Sequence, residues 1–530
     1  MGGTLRARPG SRSACAVAAL AAVALLAGCG SGGASSGGAA GGSDGGTLKY
    51  RLSVDEGCMD PYQLQLRSSI GLSRQVVDSL AYQNVDGEVV PWLATSWEVN
   101  TDASQYTLQL RDGVTFSDGS TFGSEDVVAT LDGIARMGAL SIVGAPLLSG
   151  YEGATAADPR TVTVRFSRPN AAFLQALTTP SLGISAAEDW AKDPGTRCRE
   201  SVVGTGPFVF RSYTPQESVS LVKRPEYAWA PQGFANQGAA HVDGIDVSFV
   251  TDPVVAVGQF QAGDLDVMSD LAGAALLQLP EGSAELWTRA NPGVPMGLFL
   301  NPRGPLADRA VRTALNHALD RQTLVDTALS PYDEPATGLL SPVSRGATPA
   351  PELLAHDPEQ AKRLLDAAGW QVGADGIRTK DGEPLSVDVL NPFGPNLAPV
   401  LDLAVQQARE VGIALRIVGV TLAEERQHQQ ARDFEARLNG SSRGDASVLT
   451  GFFRGLDPQI DALLDAQAAQ PDPTARDATV ATLSERILGE GYMVPIWPLK
   501  NPLVWQPTVA GLEFDNTNTP SFAGVTLGRS

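Results

Sequence analysis

The side chains in this sequence that are able to do chemistry are scattered. The four histidines, His241, His317, His356 and His428, stand far apart, and no pair has the helical spacing of metal ligands. There is no phosphate-cradling glycine loop, no GxSxG elbow, and no HExxH, CxxC or EF-hand pattern. Gly204-Thr205-Gly206-Pro207 is not a dinucleotide fingerprint, because proline follows and the pattern continues as a strand rather than a helix. Asp264 and Asp266, in QAGDLDV, read as a surface turn before a buried strand rather than an acid–base pair. The residues therefore predict no catalytic site, no metal and no cofactor. What remains is recognition without covalent chemistry.

The N-terminus carries a different signal. Arg6, Arg8 and Arg12 form a positive region, followed by an uncharged run from Ala14 to Leu26 that is too short for the roughly 20 apolar residues of a membrane span. Ala27, Gly28 and Cys29 close it. The pattern is an export signal, residues 1–28, to be set aside from the fold. Ala-Gly-Cys also resembles the lipobox of bacterial lipoproteins. That resemblance implies cleavage before Cys29 and diacylation of its thiol; the alternative is an ordinary signal peptide. Of the four cysteines, Cys15 leaves with the signal and Cys29 is consumed by lipid. Cys58 and Cys198 remain, an even pair in an oxidising compartment, and are expected to form a disulfide. Two buried thiols are the alternative.

The net charge of −20 excludes nucleic acid and broad anionic membrane surfaces as partners, and is as much as solubility alone requires. Residues 30–46 are almost entirely Gly, Ser and Ala, and should be a flexible coil spanning roughly 20–25 Å. With Cys29 they form the linker, 29–46.

Folded structure should begin at Thr47, where Leu48, Tyr50 and Leu52 alternate with polar residues. Ser73 to Ala81 reads as a helix, with Val76, Val77 and Leu80 on one face. Tyr106 to Phe116 reads as strand, Asp112-Gly113 turn, strand. Thr121 or Ser124 is expected to cap the helix that carries Val127, Leu131 and Ile134. Thr161 to Phe166 and Ala414 to Val418 read as strands. Asp308 to Asp320, Asp357 to Ala368, Leu401 to Val411 and Ala475 to Leu488 read as helices, with Pro358 at a first position and Gly369 past an end. Helices alternating with strands predict an α/β class.

Several stretches, taken together and in order, resemble the extracytoplasmic solute-binding proteins of peptide ABC transporters, family 5. They are NVDGEVVPWLATSWEVN, YTLQLRDGVTFSDGSTFGSEDVVATL, VGTGPFVFRSY (Val203–Tyr213), LFLNPRGPLADRAVRTALNHALDRQTLV (Leu298–Val325) and DPEQAKRLLDAAGW (Asp357–Trp370). The resemblance covers about the whole mature chain. It implies a periplasmic-binding-protein-like (type II) two-lobed fold with an additional subdomain on lobe I. By matching motifs, lobe I would comprise 47–77, 204–295 and a C-terminal return, 500–530. The added subdomain would be 78–203, and lobe II 296–499.

In that arrangement the ligand lies between the lobes. The resemblance places Asp445, Arg443, Ser442 and Asn439 of the LNGSSRGD stretch at the cleft, with Ser441 or Ser442 where family members carry a tryptophan. It also places Gln65, Leu66 and Arg67 there, without the acidic residue that peptide binders often have near Gln65. Thr178, Thr179 and Ser181 match a cleft-facing segment. Trp497 would either stack on a ligand or lie in the core. The function implied is a membrane-anchored receptor of an ABC importer, not an enzyme. It would bind a peptide or similar small solute and pass it to the permease, with the lipid on Cys29 as its membrane contact, and it is expected to act as a monomer. Metal chelates, haem or oligosaccharides are the rival ligands, and a sensory lipoprotein using the same closure is a rival role. A secreted hydrolase would need a catalytic constellation that the sequence lacks.

Overall fold

The computed structural model describes residues 44–271 and 273–528. The signal segment, Cys29 and the linker up to residue 43 lie outside the described residues. The last linker residues are not free: Gly45 N–H donates to the His241 carbonyl (2.9 Å) and Gly46 N–H to Asp243 Oδ2 (3.0 Å).

Two sheets organise the chain. The first has seven strands, in the order Glu285–Trp287, Leu503–Trp505, Val267–Ser269, Thr47–Leu52, Gly244–Phe249, Ser218–Lys223, Phe208–Thr214. Thr47–Leu52 is central and parallel to both neighbours. Its alternating Leu48, Tyr50 and Leu52 are fully buried. A four-stranded antiparallel sheet (Ala94–Val99, Gln105–Leu110, Thr161–Phe166, Tyr151–Asp158) packs into the same apolar core. The second large sheet has the order Ala414–Gly419, Ser386–Asn391, Ala436–Ser442, Gly293–Leu300, Met493–Trp497. Gly293–Leu300 is buried along its whole length and serves two cores, with a register shift between Val294 and Gly297. Met296, Leu298 and Leu300 join one core, while Val294 and Phe299 join another.

The chain passes from the first sheet to the second between Trp287 and Gly293, and returns between Trp497 and Leu503. The two crossings run side by side. Asn291 N–H donates to the Leu499 carbonyl (2.7 Å), and Ala290 pairs with Lys500. Side-chain amides complete the junction. Asn291 Nδ2 donates to Ser442 Oγ (3.0 Å) and Asn501 Oδ1 (2.5 Å), and Asn518 Nδ2 donates to Asn291 Oδ1 (2.8 Å).

Helix ends fixed by local chemistry follow the sequence. Asp308 caps Arg309–Ala318, and Asp357 caps Pro358–Ala367 by accepting from Gln360 N–H (2.8 Å). The helices Ala398–Glu410 and Pro473–Gly489 are also present.

Three local expectations fail. The helix near Ser73 spans Arg67–Ser73 instead, and 74–80 leaves it. There the backbone is claimed by distant partners: Gly206 N–H donates to Val76 O (2.8 Å), Phe208 N–H to Gln75 O (2.9 Å) and Ile184 N–H to Asp78 O (2.9 Å). No strand forms at Val114–Phe116. Gln105–Leu110 pairs with Ala94–Val99 and Thr161–Phe166, and Phe116 N–H turns back onto Ser120 O (2.8 Å). The cap of Ser124–Met137 is Gly123, whose N–H donates to Asp126 Oδ2 (2.9 Å), while Ser124 Oγ is used on Asp158 O (2.7 Å).

Cys58 and Cys198 are bonded (S–S 2.00 Å) across a sequence separation of 140. Beside them Met59 N–H donates to Cys198 O (2.8 Å), and the buried Asp60 pairs with Arg197 (2.9 Å). No helix among the described residues is long and apolar enough to cross a membrane. Replacing both cysteines by serine is expected to lower the unfolding free energy by roughly 2–5 kcal/mol, read from the urea midpoint. An unchanged midpoint would show that the bridge adds nothing.

Candidate binding cleft

A cavity of about 490 Å³ opens between the first and second sheets, next to the crossings. Its volume falls in the range of small-molecule sites. One wall is the loop and first turn of Arg67–Ser73. Glu56 fixes that loop by accepting from Gln65 N–H and Leu66 N–H (both 2.9 Å), and this holds Gln65 and Arg67 toward the cavity. Beside it stand Gln83 and Gln175, joined by a hydrogen bond of 3.2 Å, with Thr178 and Thr179. Thr178 keeps its place through two contacts: its hydroxyl donates to Gln175 O (2.7 Å), and its carbonyl accepts from the buried Arg74. The C-terminal return adds Asp515, Thr517 and Thr519. Asp515 Oδ1 accepts from Thr517 N–H (2.8 Å), Thr517 Oγ1 (2.7 Å) and Thr519 N–H (2.9 Å).

The facing wall is 440–444, continuing the strand Ala436–Ser442, with Arg426 above it. This backbone is tightly enclosed. A Cβ on Gly440 would lie 2.9 Å from Met296 N, and one on Gly293 2.1 Å from Ser441 O. Gly444 meets the other wall directly, because a Cβ there would be 2.4 Å from Gln175 Nε2 and 2.9 Å from Gln83 Oε1. Arg67 spans the gap, donating from Nη1 to Thr517 O (2.7 Å) and from Nη2 to Ser442 O (3.2 Å). Burial lowers the pKa of Arg443. Burial also lowers that of Arg67, with the Asp515 charge opposing and the Arg443 charge adding to the shift.

Of the residues expected at a cleft, Gln65, Arg67, Thr178, Thr179, Ser442 and Arg443 line this cavity together. The other five do not. Leu66 is turned away, half-exposed beside its Glu56 contact. Ser181 is buried behind Thr179. Asn439 donates to Glu425 (3.3 Å), which pairs with the buried Arg437 under Phe299 and Phe452. Trp497 is buried in the second sheet's core. Asp445 is held by Arg476, with both oxygens engaged at 2.6 Å, and accepts from Ser447 N–H (2.7 Å). Gln83, Gln175, Arg426, Asn501, Asp515, Thr517 and Thr519 were not anticipated. The polar run DNTNT, Asp515–Thr519, dense in residues that hydrogen-bond their own backbone, was the one signal available. Among the described residues no three His, Cys, Asp or Glu side chains gather as a metal site.

A cleft walled by two separately cored sheets, with the chain crossing twice behind it, is the geometry of a solute binder, and comparison with known proteins agrees. Residues 88–458 match the model of the bacterial extracellular solute-binding proteins, family 5, and the chain belongs to that family. It is similar to the nickel-binding periplasmic protein of Escherichia coli (strain K12), 24% identical over 87% of this chain and 90% of that one. It is also similar to the glutathione-binding protein GsiB of Salmonella typhi, 27% identical over 68% of this chain and 67% of that one. Among solved structures, NikA from Brucella suis in complex with Fe(III)-EDTA superposes with a TM-score of 0.78 at 25% identity, covering 91% of this chain and 100% of that one. The chain is an ABC-transporter solute-binding protein rather than an enzyme.

Asp445 tests which residues of this region serve stability. Burial would raise its pKa, but the Arg476 charge and hydrogen bonds from Arg476 and Ser447 outweigh it, so the folded value is depressed. The resulting stability is present above the unfolded carboxylate value near 4 and is lost as pH falls below it. Asp445→Ala should cost about 3–5 kcal/mol at neutral pH, with a smaller deficit in acid, and leave solute affinity within a few-fold. A large affinity loss without destabilisation would return Asp445 to the cleft.

Proposed function

We propose that this chain is the membrane-held, extracytoplasmic receptor of an importer, taking a peptide or similar small solute into the cleft and delivering it to the permease unchanged. In this reading residues 1–28 are removed, Cys29 carries the lipid, and the linker lifts a monomeric two-lobed body from the surface. The body's parts are those matched by motif: 47–77, 204–295 and 500–530 as lobe I, 78–203 as its added subdomain, and 296–499 as lobe II.

One observation carries the reading: the cavity is closed only by bringing together residues from both sheets, with Arg67 and Gly444 meeting the opposite wall. A guest there is enclosed by both lobes, and contacts present only in the closed form are what couple binding to closure.

The lining favours a chain-like polar guest. Among the described residues it contains no aromatic side chain, so flat haem or sugar rings would find no stacking face there. Gln65, Gln83, Gln175 and the threonines instead offer amide and hydroxyl partners suited to peptide groups. Chelates remain the second reading, since relatives are named for nickel and crystallised with a metal–EDTA complex.

Native mass spectrometry of the protein extracted from its own membranes is expected to show one small solute per chain, released on unfolding. Cys29→Ala should move the chain from the membrane to the soluble fraction. An empty cleft that takes up no peptide or chelate would sink the receptor reading. A variant that stays on the membrane would sink the anchor alone.

A further inference from the structure

Charge in the cleft runs against the charge of the molecule. The chain is −20 overall, yet the lining holds Arg67, Arg426 and Arg443 against one carboxylate, Asp515. Asp515 spends Oδ1 on its own turn, through Thr517 and Thr519, and its charge only partly offsets the cationic side chains, acting on Arg67. Arg67 uses two of its N–H groups on backbone carbonyls and keeps the rest.

The Arg443 guanidinium has no partner. Among the described residues it donates to no acceptor and has no carboxylate within 4.0 Å, although the side chain is half-buried in the cleft wall. The buried arginines are treated differently. Arg197, Arg437 and Arg476 each have a carboxylate, and Arg51 and Arg321 donate to backbone carbonyls. Arg443 also stands close enough to Arg67 for their charges to repel. A half-buried, unpaired guanidinium close to a second one leaves donors free for an anion between them.

We propose that Arg67 and Arg443, one from each wall, together hold a carboxylate of the guest, so that the receptor selects small solutes with an acidic end. This deepens the receptor reading and rests on it. A carboxylate placed between the two guanidiniums converts their repulsion into two charge-assisted contacts, and only while the walls are together. The guest's charge then favours closure. Arg426, exposed on Leu422–Ala431, adds a positive field at the opening without being part of the clamp.

The test uses the full chain, wild type and with Arg67→Gln, Arg443→Gln or Arg443→Lys. Melting is followed as acetate or inorganic phosphate replaces chloride at constant ionic strength. Acetate should raise the wild-type melting temperature over chloride, Arg443→Gln should abolish that increment, and Arg443→Lys should restore part of it. An equal increment in wild type and Arg443→Gln overturns the clamp, and an increment with phosphate but not acetate overturns the carboxylate assignment.

A second arm compares a tripeptide library bearing free C-terminal carboxylates with the same library amidated. The free library should bind better, and Arg443→Gln should weaken it by roughly ten- to a hundredfold. If amidated peptides bind equally well, the clamp fails while the receptor reading stands. If neither library binds and native mass spectrometry shows the cleft empty, it is the receptor reading that fails, and the clamp with it.

Discussion

Everything in this structure depends on a narrow junction. The chain passes between its two large sheets twice, and the passages are tied by backbone pairing, Asn291 N–H to Leu499 O (2.7 Å) beside the Ala290–Lys500 bridge. Around that pairing lie amides and a hydroxyl: Asn291, Asn501, Asn518 and Ser442. An apolar seam would resist any relative movement, because separating it re-exposes surface at about 25 cal/mol per Å². Hydrogen bonds among side-chain amides can be exchanged with water at little net cost. The junction therefore keeps the two bodies together without merging their cores, and it leaves the cleft as the place where they meet.

Burial elsewhere makes that looseness tolerable. Each side of the cleft is braced from behind by charged groups that have found partners within the fold. Arg437 and Glu425 pair beneath Phe299 and Phe452, and Arg476 holds both oxygens of Asp445. On the other side Arg74 bonds Ser79 Oγ (2.7 Å) and the Thr178 carbonyl. These contacts fix the walls, whereas Arg443 at the surface of one wall is left unanswered. The contrast separates residues that build the cleft from those that read its contents.

Elements whose determinants are local could be read from the sequence, and those determined from afar could not. Asp308 and Asp357 cap helices through neighbours two or three residues away, so their effect is written in the local string. The stretch Arg74–Leu80 has a plausible apolar face, but its backbone is paired by residues more than 100 positions on, at Ile184, Gly206 and Phe208. The cleft divides the same way. Arg67 and Thr178 line it because loop positions are shared across the family, whereas the aim of a side chain depends on its partner. Asp445 has Arg476, Asn439 has Glu425, and Trp497 has a core, so none of the three lines the cavity. Gln83 and Gln175 carried no signal at all, being ordinary polar residues until the fold sets them side by side.

Gly444 sets a mechanical limit on what such a receptor can become. With a side chain's first carbon there only 2.4 Å from Gln175 Nε2, the residue works as the thinnest possible shim between the two jaws. Any thicker residue at this position would first push aside the Gln175 and Gln83 amides, so a single codon here can redraw the polar surface that a guest meets.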